Sequence, residues 1–118
     1  MVRPLLVGIA LAVVTTPASA QTPAPSCWVR GDAARLPTRA SALDSAETRV
    51  AGAVVKVCYG RPEARGREIM GGLVPWGAPW RLGANEATTI HLPFAAEIAG
   101  VRVEPGSYSL YAIPSDTT

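Results

Sequence analysis

Beyond its first twenty residues this chain never sustains a helical period. Its apolar residues gather in short runs, closed by glycine or proline. Ala53-Val54-Val55-Lys56-Val57-Cys58-Tyr59 is rich in β-branched and aromatic side chains and ends at Gly60, which reads as a strand buried in part on both faces. Between Ala87 and Leu92, the side chains of Thr88, Ile90 and Leu92 share one face, and Thr89 and His91 take the other. Ile98 to Val103 sets Ala99-Gly100 between short apolar runs, a tight hairpin turn. Glu104-Pro105-Gly106 is a second turn, and Ser107 to Ile113 follows as the clearest alternating strand, ended by Pro114. Pro37 to Asp44 carry no strong period, and the pattern changes only from Thr48. The fold class expected is all-β: a small antiparallel β-sandwich or a partly open barrel.

The opening residues answer a different question. Arg3 precedes an apolar run from Leu5 to Val14, and Ala18-Ser19-Ala20 offers the small residues a signal peptidase accepts. The run is too short for a membrane span, which needs ~20 residues. The expectation is a secretory signal over residues 1–20, with export to the periplasm or the medium and no stable membrane anchor afterwards. Its removal takes Arg3 with it, so a formal charge of +2 falls to +1. A nearly neutral chain lacks the broad basic surface that nucleic acid requires, so no nucleic-acid partner is expected.

Export gives the two cysteines their meaning. An even count in an oxidising compartment predicts a disulfide between Cys27 and Cys58, worth roughly 3–4 kcal/mol on the chain-entropy view. Two thiols and the sole histidine, His91, do not complete a metal site, and no cofactor is implied. Residues 21–42 then form a flexible N-terminal arm, which the disulfide tacks onto a β domain spanning 43–118.

Chemistry concentrates on the irregular connection from Arg61 to Gly77 and just after it. Its proline and glycine content rules out a regular element, and long loops of this kind often carry binding function. Arg61, Arg67, Trp76, Trp80, Arg81, Asn85 and Glu86 are the candidate ligand-binding residues. Arginine forks grip carboxylate or phosphate, and tryptophan faces stack on sugars or cations. A purely structural reading stands beside this one: Glu86 pairs with Arg81 or Arg67, Asn85 caps a turn, and the tryptophans plug one end of the core. An enzymatic alternative makes Glu86 an acid or base, oriented by Arg81 and assisted by His91. It needs a second carboxylate from Glu63, Glu68 or Glu97, and no motif places one. There is no G-x-S-x-G, and Gly71-Gly72 is followed by Leu73 rather than by a phosphate-binding lysine. No catalytic residue is assigned. The expected role is an exported module whose Trp76–Glu86 segment meets a small molecule or a protein.

Tyr59-Gly60-Arg61-Pro62, Gly66-Arg67, Gly71-Gly72-Leu73-Val74-Pro75-Trp76-Gly77, Trp80-Arg81 and Gly83-Ala84-Asn85-Glu86-Ala87-Thr88 together resemble the bacterial DUF2911 family. Pro105-Gly106-Ser107-Tyr108-Ser109-Leu110 is similar to it as well. The resemblance covers about Leu43 to Pro114 and implies an exported protein of β architecture. The family's function is unknown, so the resemblance implies no catalytic residues. This chain departs from it at Gly60, where serine is common, and at Trp76, where tyrosine is common. Members tend to continue into further strands past Ile113-Pro114, which implies a β domain truncated at its C-terminus.

Overall fold

A computed structural model describes residues 22–117. The expected secretory signal lies outside these described residues. A short 3-10 helix, Ala33–Thr38, leads into six strands: β1 (Ala42–Val50), β2 (Ala53–Arg61), β3 (Thr89–Leu92), β4 (Ala96–Ile98), β5 (Val101–Val103) and β6 (Gly106–Ser109). Four form one antiparallel sheet in the order β1-β2-β3-β6, and β4 pairs with β5 as a separate ribbon. The chain is all-β apart from the 3-10 turn. Among the described residues the sheets do not close into a barrel, as an open sheet architecture requires.

Strand β1 corrects the sequence reading, which left Pro37 to Asp44 without a period. Its residues are mostly exposed, so no apolar alternation marks it. It exists because β2 is a strong strand and because Ala51-Gly52, with φ of 48° and 81°, makes a two-residue turn of the twist that hairpins favour. Nine cross-strand pairs then run from Val50↔Ala53 to Ala42↔Arg61. Ala99-Gly100, at 49° and 80°, turns β4 into β5 in the same way, as its sequence predicts.

The expected strand from Ser107 to Ile113 divides between two partners. β6 follows β3 only as far as Ser109↔Thr89. The chain then passes to the loop before β3: Leu110 N–H donates to the Thr88 carbonyl at 2.7 Å, and Ala112 exchanges two backbone hydrogen bonds with Trp80. The division arises because β3 begins at Thr89, while its preceding residues bend through left-handed conformations at Leu82 and Asn85.

Apolar burial is thin. Cys58, Val74 and Leu92 are the buried hydrophobic residues among those described, and Glu86 and Thr88 are buried beside them. A domain this small buries a modest share of its surface, so covalent and polar ties carry more of the stability than in a larger protein. The Cys27–Cys58 disulfide is one such tie.

Candidate functional site

Residues 62–88 connect two adjacent antiparallel strands and build most of the site. The first part folds on itself, with Leu73 N–H donating to the Glu68 carbonyl and Val74 N–H to that of Ile69. The later part closes a small ring. Thr88 N–H donates to the Arg81 carbonyl at 3.0 Å, and the Thr88 hydroxyl donates to that of Leu82 at 3.1 Å. This ring lies against the end of β2. A Cβ on Gly60 would collide with the Ala84 carbonyl, and one on Gly83 would come within 2.9 Å of the Gly60 carbonyl. Glycine at both positions lets the two backbones meet.

Glu86 projects from the ring and is 5% exposed. Its Oε1 accepts from the Arg30 amide at 2.7 Å, and Arg39 Nη1 donates to both carboxylate oxygens at 2.9 and 3.0 Å. Arg39 Nη2 also donates to the Arg30 carbonyl at 2.8 Å. The 3-10 turn makes this possible. Asp32 caps it by accepting from the Ala34 amide, and Arg39, which follows the turn, comes back to the backbone of Arg30. Burial pushes the Glu86 carboxyl up. The Arg30 amide, the Arg39 guanidinium and the residue's own amide outweigh burial and hold it below its ordinary value. It is therefore an ionised anchor for the arm.

The expected partners of Glu86 are thus replaced. Arg81 donates through Nε to the Gly83 carbonyl, and Arg67 clamps its own turn through the Ala64 and Glu63 carbonyls. Asn85, which takes a left-handed φ of 65°, donates to the Ser41 carbonyl at 3.3 Å and ties the ring to the start of β1. Arg61 pairs with Asp44 at 2.7 Å across the β1–β2 hairpin. His91 stands apart: its Nδ1 meets the Ser107 hydroxyl at 3.1 Å, and it lines a separate cavity of about 90 Å³.

Beside the Glu86 anchor lies an open cleft of about 1200 Å³. Six of the seven expected ligand residues line it: Arg61, Arg67, Trp80, Arg81, Asn85 and Glu86. Trp76 does not. It packs beside Gly71, where its Nε1 would be 2.8 Å from an added Cβ, and it stays 41% exposed. The cleft also takes Trp28 and Arg30 from the arm, Tyr59 from β2 and Tyr111 from the chain after β6. Sequence reasoning missed these four, and it missed Arg39, because no local pattern joins residues so far apart.

The charges do not balance. Glu86 is matched by Arg39, Arg61 by Asp44, and Glu63 by Arg65. Arg30, Arg67 and Arg81 also line the cleft and face no carboxylate within salt-bridge distance among the described residues. Also among the described residues, no three metal-ligating side chains cluster, and no helix is long and apolar enough to cross a membrane.

Residues 41–118, which hold the sheet and the whole ring, match the family described as Protein of unknown function (DUF2911). The chain belongs to the DUF2911 family. No curated protein and no solved structure is significantly similar to it. The DUF2911 match begins at Ser41, so the segment that supplies Cys27, Trp28, Arg30 and Arg39 precedes the shared domain while completing its cleft.

Proposed function

We propose that this DUF2911 chain is an exported binding module that holds a small anionic ligand in the cleft beside Glu86. The observation that carries the reading is the surplus of guanidinium groups there. Arg67 and Arg81 spend part of their donor capacity on backbone carbonyls, which fixes their position and leaves donors for an anion. Trp80, Tyr59 and Tyr111 add flat apolar surface for the body of such a ligand. Export rests on the signal pattern of residues 1–20 and agrees with the Cys27–Cys58 disulfide.

Titration with inorganic phosphate and with citrate, followed by tryptophan fluorescence and calorimetry, tests the binding. Saturable binding that weakens in high salt and in Arg81→Gln is expected. Absence of saturable binding by either anion overturns the reading. Export is tested separately, by the N-terminus of the secreted product, which is expected at Gln21.

A further inference from the structure

The arm before the family domain presents its side chains unusually. Cys27 is bonded to Cys58 of β2, and the Arg30 amide is bonded to buried Glu86. Trp28 lies between these two clasps and is nevertheless 63% exposed. The two clasps fix the backbone on either side of Trp28, and burial does not explain the position of its ring. It lines the cleft and also borders the smaller cavity beside His91, and the cleft is lined as well by Arg30, whose side chain no carboxylate neutralises among the described residues. Only the Arg30 backbone is used by Glu86 and Arg39, so its guanidinium is available to a ligand.

We propose that Trp28 and Arg30 form the arm-side wall of the ligand site and select an anionic sugar. This rests on the anion-binding reading above and extends it to a ligand class. A pyranose ring presents C–H faces that stack on indole, and a sugar carboxylate matches the guanidinium fork. A second tryptophan and arginine, Trp80 and Arg81, adjacent in sequence, line the same cleft. At about 1200 Å³ the cleft is also open and roomy enough for more than one sugar ring, which suits an oligosaccharide over a single small acid.

The test uses the disulfide-bonded chain with trigalacturonate, maltotriose and inorganic phosphate as probes. Trigalacturonate is expected to bind more tightly than either comparison probe. Trp28→Ala is expected to weaken it about tenfold, and Arg30→Gln to weaken it by a similar factor while sparing maltotriose. Trp76→Ala, which alters a ring outside the cleft, is expected to leave binding unchanged. Arg30→Gln keeps the backbone bond to Glu86, so it remains informative if Trp28→Ala folds poorly. Unchanged trigalacturonate affinity in Arg30→Gln and in folded Trp28→Ala overturns the arm's role and leaves the anion site standing. Binding of phosphate without trigalacturonate overturns the sugar assignment alone. Binding of none of the three overturns both proposals.

Discussion

Arg39 and Glu86, 47 positions apart, meet with one guanidinium nitrogen spanning both carboxylate oxygens at 2.9 and 3.0 Å. The carboxylate is nearly inaccessible and the arginine side chain only 17% exposed. Hydrogen bonds between charged groups in such a setting are worth more than surface pairs, and removal of one partner leaves the other without compensation. The pair also sets the path of the arm, because Arg39 holds the Arg30 carbonyl with its second nitrogen.

Arg39→Ala is therefore expected to destabilise the chain by about 2–4 kcal/mol. Urea unfolding at neutral pH measures it. Glu86→Gln is expected to cost a comparable amount. The double variant should lose clearly less than the two losses added together, because both single changes break one network. Full additivity would show that the two side chains do not act together.

Acid should weaken the fold through the same group. The Glu86 carboxyl sits below its ordinary value of 4.5, because the donors of Arg30 and Arg39 outweigh its burial. The unfolded chain then binds more protons than the folded one, so stability rises with pH. This contribution is complete above about pH 5.5 and is lost as pH falls through 4.5 and below. Asp44 acts in the same direction at the surface, chiefly through its hydrogen bond from Arg61. Urea midpoints between pH 7 and pH 3 are expected to decline in the parent, with a shallower decline in Glu86→Gln.

The disulfide joins residues 31 positions apart. Closing such a loop restricts the unfolded chain by about 3–4 kcal/mol. Cys27→Ser with Cys58→Ser is expected to lower the melting temperature substantially in a core this small. The exchange should also free Trp28, so tryptophan anisotropy is expected to fall while far-ultraviolet circular dichroism keeps its β character. An unchanged anisotropy would mean that the Glu86 clasp holds the arm without covalent help.

Gly60 reports on the contact between β2 and the ring. Because a Cβ there collides with the Ala84 backbone, Gly60→Ala is expected to cost about 1–3 kcal/mol. Gly66→Ala, at a turn with open space but a φ of 71°, should cost only the strain of that conformation, about 1 kcal/mol. Thermal melts of the two variants compare steric overlap with backbone strain directly.

Much of this molecule is legible from residue order, because strands and tight turns are local phenomena. The β-branched run of β2, the Ala99-Gly100 hairpin and the all-β class follow from period and turn chemistry. Composition singles out the Trp76–Glu86 segment as a candidate, of which Trp80, Arg81, Asn85 and Glu86 line the cleft and Trp76 does not, and two cysteines read beside an expected export signal suffice to predict their bond. Other features arise only from contacts between distant parts. β1 carries almost no apolar alternation of its own and becomes a strand by pairing with β2. The strand expected from Ser107 to Ile113 is shared between β3 and Trp80, since the chain preceding β3 bends at Leu82 and Asn85. Glu86 finds Arg39 instead of nearby Arg81, because the 3-10 turn returns the arm to the ring while Arg81 is satisfied by Gly83. Local propensity determines which segments are extended. Which charges meet, and which aromatic rings share a cleft, depends on chain closure across dozens of residues, and no short-range pattern encodes that.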